Sequence, residues 1–223
     1  MVLKGEYCRR TNPNNVDLNR NWDYEFGKMI EMKEENPGTK PFSEIETRFL
    51  KKLAEDFKPE IFLSLHSGIF SLFHPYAFHK KDPGVNRDFM VNGLKLIKDK
   101  YCTNCLLGSA AKLIGYQSSG TCIDYLYYIL KVPKTFVWEI YTNESIIPSK
   151  KKNYFKFKST MTMLEKVERR SRLDKKMEEA PLSKDEIIEC FAEFNPNDNN
   201  TFKTVRENWT NALFTFLEFI KNN

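Results

Sequence analysis

Histidine is scarce in this chain, three in 223 residues, so any imidazole placed at the end of an apolar strand stands out. Long apolar runs are missing too. None approaches the ~20 residues that a membrane-spanning helix needs, and the opening MVLKGEYCRR has no apolar stretch of the signal-peptide kind. Cysteine comes in an odd number, five, so no complete disulfide framework can be read. With a single CxxC, Cys102 and Cys105, a structural zinc ribbon is disfavoured. That pair stays open between a bridge, half a zinc site and two ordinary thiols. An excess of one charge is also lacking: 35 basic residues are interspersed with 30 acidic ones, a pattern that gives no basic face and argues against a nucleic-acid partner.

What is present suits one sizeable hydrophobic core, with 41% hydrophobic residues in a length that does not demand two domains. Three triplets, at Asn143, Asn199 and Asn208, match the N-glycosylation pattern. They favour a secreted or endomembrane location slightly over a cytoplasmic one. Residues 9–27 are rich in Asn, Asp and Pro and read as loop. Ser43 as N-cap with Glu46 three residues on, then Ile45, Phe49, Leu50, Leu53 and Phe57, predicts an amphipathic helix. IFLSL at 61–65 predicts a buried strand that delivers His66 to its carboxyl end, where ligands sit in open α/β sheets. Helices are further predicted at 85–101, 122–130 and 202–220, and a second buried strand in KTFVWEIY at 134–141. The loop HPYAFHKKDPG and the stretch CTNCLLGSAAKLIGYQSSGT read as irregular. Residues 164–189 carry dense charge of both signs and read as a solvated helical insertion or linker.

Glu139 is the most conspicuous polar residue. Flanked by Phe136, Val137, Trp138, Ile140 and Tyr141, its carboxylate would carry a desolvation cost unless it were partnered or functional. If the two predicted strands run parallel, it shares a side of the sheet with His66.

In order and wording, CRRT, VDLNRNW, SLHSG with HPY, YQSSGTCID and FVWEI resemble the zinc carboxypeptidases of the carboxypeptidase A type, the M14 family. ENPGTKPFSE and GTCIDYLY look most like its plant and protist branch. The resemblance implies a mixed, mostly parallel β-sheet flanked by helices, the zinc carboxypeptidase or phosphorylase-hydrolase-like architecture. It implies Zn2+ with His66 as a ligand, and a metallocarboxypeptidase acting on peptide or protein C-termini. By the same resemblance Glu139 is the general base and Arg9 the oxyanion arginine, with Arg10 one residue away in an uncertain loop alignment. Asn19 and Arg20 grip the terminal carboxylate, Tyr116 closes over it, and Ile123 lies on the floor of the side-chain pocket. An aliphatic residue there favours apolar or aromatic terminal residues over basic ones.

One part of the family pattern is missing. The first two zinc ligands of that family come from an H-x-x-E motif upstream of the arginine loop, and no such motif occurs here. A motif-bearing loop begins almost at Met1. The chain is therefore expected to be an incomplete peptidase domain, 1–223, that starts inside the fold and leaves an open sheet edge with exposed apolar surface. A second chain that supplies the missing part, or a catalytically inactive module that binds peptide C-termini, are the alternatives.

Overall fold

The computed structural model describes residues 9–29, 35–143 and 184–223. Four strands form one sheet: β1 (Ile61–His66), β2 (Phe70–His74), β3 (Leu106–Ser109) and β4 (Lys134–Ile140), in the order β1-β4-β2-β3. The β1·β4 and β2·β3 pairs are parallel and β2·β4 antiparallel, which gives the expected mixed, mostly parallel sheet. Helices α1 (Ile45–Phe57), α2 (Arg87–Tyr101), α3 (Ala110–Leu113), α4 (Cys122–Asp124, running on into a π-helical turn over Tyr125–Ile129), α5 (Lys184–Phe194) and α6 (Asn199–Lys221) complete the described residues.

Strand alternation divides the sheet's residues between two faces. Leu63, Leu72, Phe136 and Trp138 pack on one side against Met90, Leu94 and Ile97 of α2 and Trp209, Ala212 and Phe216 of α6. Trp138 meets Trp209 and Phe216 with ring centroids 5.8 and 5.2 Å apart. Those that are fully buried, Leu72, Met90, Leu94, Ile97, Phe136, Trp138 and Phe216 among them, each contribute about 1.5–3 kcal/mol of burial, enough to make this the side that holds the domain together. The alternate residues Ser64, His66, Val137 and Glu139 are thereby left to the opposite face.

Two short strands escaped the sequence reading. β2 lies where only the following HPY loop is evident, and β3 sits inside the stretch read as irregular. Both are too short for a clear period, and β3 contains Gly108. Their hydrogen-bonding partners are distant in sequence. The charged segment 164–189 lies mostly outside the described residues; its final residues belong to α5. The CxxC is resolved as a disulfide between Cys102 and Cys105, at the end of α2. Cys190 is disulfide-bonded as well, and Cys122 is a buried free thiol. Of the glycosylation triplets, the one at Asn208 is engaged in packing, its amide donating to the Tyr101 carbonyl at 3.1 Å.

Helix α1 forms where expected but starts one residue later than Ser43 would cap, with Glu44 at its N-cap, and it stops at Lys58 in a left-handed conformation before Pro59. Its apolar stripe faces outward among the described residues: Ile45, Phe49 and Phe57 are 70, 67 and 76% exposed. The outer edge of β1 is likewise unpaired among the described residues.

Candidate active site

The parallel pairing of β1 and β4 sets His66 opposite Glu139 in register. Being on the same face, the two side chains meet with His66 Nδ1 3.9 Å from Glu139 Oε1, outside hydrogen-bond distance. His66 Nε2 shares a 2.9 Å hydrogen bond with Ser64 Oγ, which orients the ring and leaves Nδ1 toward the site. Burial, and then the charge of Arg10, push the imidazole pKa down, so the ring is neutral near pH 7, as a metal ligand must be.

Glu139 is held in the opposite sense. Burial raises its pKa to about 7 against the pull of Arg10 and the Ile69 backbone N–H. Its Oε2 is buried with no hydrogen-bond partner. A carboxyl group that exchanges its proton near neutrality, with one oxygen uncommitted, is chemically suited to take up and return a proton.

The two candidate oxyanion arginines diverge. Arg9 turns toward its own loop, where its guanidinium donates to Thr11 Oγ1, the Pro13 carbonyl and Asn15 Oδ1. Arg10 donates from Nε to Asp17 Oδ2 at 2.7 Å. Partial burial lowers the Arg10 pKa, but Asp17, Glu35 and Tyr116 raise it by more. Arg10 is also the cation that acts on both His66 and Glu139. Arg10 is thus the arginine whose charge reaches the pair, while Arg9 is hydrogen-bonded within its own loop.

Asp17 caps the 3-10 turn Leu18–Arg20 by accepting the Asn19 N–H at 3.0 Å. Asn19 in turn accepts the Cys122 N–H on its Oδ1 at 2.9 Å, so the turn is tied to the start of α4. Arg20 is only 3% exposed. It pairs with buried Glu35, donates from Nη1 to the Asn19 carbonyl and from Nη2 to Ser118 Oγ, and leaves Nε buried without a partner. Tyr116, on the loop after α3, lies within electrostatic reach of Arg10. A groove of about 300 Å3 between α1 and β1 is lined by His66, Asn19 and Cys122 together with Leu50, Leu53 and Phe62.

Ile123 is buried in an apolar cluster with Phe73, Ala77, Ala110 and Val137. Beside it Asp124 accepts the backbone N–H groups of Ala77 and Phe78, both at 2.8 Å, and burial raises its pKa to about 7. Because the folded pKa lies above the unfolded value, the native state holds this proton more tightly. Asp124 therefore supports stability fully below about pH 4 and loses that contribution as pH rises toward 7. Asp124→Asn is expected to flatten this decline, checked by urea midpoints at pH 4, 5.5 and 7.

Sequence reasoning singles out His66, Glu139, Arg9, Asn19, Arg20, Tyr116 and Ile123, and gives no role to Asp17, Glu35 or Asp124. All three lie inside stretches that carry the resemblance, VDLNRNW, ENPGTKPFSE and YQSSGTCID, but only the fold shows what each one pairs with. As to metal, His66 fits as one zinc ligand by its neutral ring and free-facing Nδ1. Among the described residues no group of three His, Cys, Asp or Glu is placed to hold an ion, so a full ligand set is not found in them.

A family profile described as zinc carboxypeptidase matches residues 4–168. The chain is similar to a zinc carboxypeptidase of Simulium vittatum, 29% identical over 149 residues that make up 59% of this chain and 47% of the relative. It is also similar to carboxypeptidase A1 of Bos taurus, 33% identical over 122 residues, 50% of this chain and 28% of the relative. Among solved structures, bovine thrombin-activatable fibrinolysis inhibitor, in complex with tick carboxypeptidase inhibitor, shares the fold. There the TM-score is 0.50 at 20% identity, over 56% of this chain and 45% of that one. The chain spans less than half the length of these relatives.

Proposed function

The chain belongs to the zinc carboxypeptidase family, and on that premise we propose that the full-length protein is a zinc-dependent carboxypeptidase that releases C-terminal residues from peptides or proteins. The observation that carries this reading is the in-register His66–Glu139 pair, a neutral imidazole facing a carboxyl group poised near pH 7, with Arg10 acting on both. When bound, the zinc would activate water and polarise the scissile carbonyl.

The chain's own residues then have distinct tasks. Glu139 accepts a proton from the attacking water and returns it to the leaving amine. Arg10, in place of Arg9, opposes the negative charge that develops on the carbonyl oxygen. Asn19, Arg20 and Tyr116 bind the terminal carboxylate, which restricts cleavage to the last residue. Ile123 packs with Phe73, Ala77, Ala110 and Val137, and its aliphatic side chain favours an apolar or aromatic terminal residue. Disulfides at Cys102–Cys105 and Cys190 fit an oxidising compartment, secretory or endomembrane; no described helix is long and apolar enough to cross a membrane.

Metal analysis of the full-length protein tests the reading. About one zinc per chain is expected, with His66→Ala reducing it severalfold in dialysed protein. A second reading, a module that binds peptide C-termini without hydrolysis, is favoured by the single zinc ligand among the described residues. It predicts carboxylate binding with no bound zinc, so the same measurement separates the two.

A further inference from the structure

Arg20 stands almost wholly out of solvent, and so does its partner: the two side chains are 4 and 1% exposed. A guanidinium in such a place needs a compensating charge, since an unpaired buried cation is costly. Glu35 supplies it at Nη2, while Nη1 is turned to the Asn19 carbonyl. The planar fork is thereby fixed in rotation about its own axis. One donor, Nε, is left buried and unpartnered. A ligand carboxylate has two acceptor oxygens and no donors, so it is the chemical complement of such a donor edge. Glu35 opens the ENPGTKPFSE stretch, 15 residues along the chain from Arg20, where nothing in the sequence signals the pairing.

We propose that Glu35 is a positioning residue for terminal-carboxylate recognition: it fixes the rotation of the Arg20 guanidinium, whose buried Nε has no partner of its own. The proposal rests on the carboxypeptidase reading, and it adds the group on which that recognition depends. Glu35 also contributes to the field at Arg10, so its charge acts on both cations. Glutamine in its place keeps the shape but removes the charge and gives Nη2 an acceptor only half as strong.

The test is the preference of the full-length protein for a free carboxylate, measured by titration calorimetry with N-benzoyl-phenylalanine and with its amide. The wild type is expected to prefer the acid. Glu35→Gln should weaken acid binding about 10- to 100-fold and leave the amide unchanged, a difference that a general loss of stability would not produce. Equal acid binding by the variant would overturn the proposal, and tighter binding would do so too, by making Glu35 a competitor for Arg20. If Glu35→Gln does not melt cooperatively, Glu35→Asp replaces it; the charge then sits one methylene further away, and the acid preference should fall partway, an unchanged preference again overturning the proposal. A wild type that does not distinguish acid from amide would instead sink the carboxylate-binding reading itself.

Discussion

Glu139→Gln in the full-length protein is expected to lower kcat for release of a C-terminal residue by about 10²- to 10⁴-fold, the range associated with loss of a general base. The substitution is nearly isosteric, and an amide cannot take the proton from water. KM should change little, because Glu139 is not among the groups assigned to the terminal carboxylate. Stability should not suffer either. Burial already drives the Glu139 pKa to about 7, and Oε2 has no partner to lose. The measurement is the initial rate of phenylalanine release from a blocked dipeptide, alongside zinc content and melting temperature. A variant that retains wild-type turnover with its zinc in place would remove Glu139 from the mechanism. A variant that unfolds would show that the carboxyl group is a structural partner instead.

Gly120→Ala should have the largest effect among changes outside the proton-transfer pair. A Cβ at this position would lie 2.0 Å from the Arg20 carbonyl oxygen and 2.6 Å from its carbon, and the residue has φ +63°. Both contacts are backbone, so no side chain can swing aside. The 116–121 loop and the segment carrying Asn19 and Arg20 must separate. That strains the hydrogen bonds from Gly120 N–H to the Tyr24 carbonyl and from Trp22 N–H to the Gly120 carbonyl. The expected cost is about 2–4 kcal/mol from overpacking and backbone strain together. Gly27→Ala is the control: φ is +67° there, but nothing lies within 4 Å of the new Cβ. It should cost about 1 kcal/mol, and the difference between the two variants isolates the close approach. Denaturant midpoints give the stabilities, and the acid-over-amide binding ratio reads whether Arg20 has moved. If both variants lose the same small amount, the two segments are not packed as described.

Much of the site was legible because its residues sit in short local signals. An apolar run ending in a histidine, and a carboxylate set among aromatic residues, each conflict with simple burial and so point to function. The periodicity of α1 and α6 was equally visible. What the sequence concealed was pairwise and distant. β2 and β3 have no clear period of their own and exist through hydrogen bonds to each other and to β4. Arg9 and Arg10 are neighbours of the same type, and only the fold of the 9–17 loop pairs one with Asp17 and the other with Asn15.

The amino-acid sequence by itself determined the family, the α/β character, the strands that carry His66 and Glu139, and the residue types available for zinc ligation, proton transfer and carboxylate binding. These follow from local order along the chain, where side-chain period and motif spacing act over a few residues. Tertiary structure alone decided that β1 and β4 run parallel in a register that places His66 opposite Glu139. It alone decided which arginine pairs with Asp17, and that Arg20 shares its charge with Glu35, 15 residues away. Those outcomes depend on which distant backbone groups pair and which charges are buried together, and burial is a property of the packed chain rather than of any segment of it.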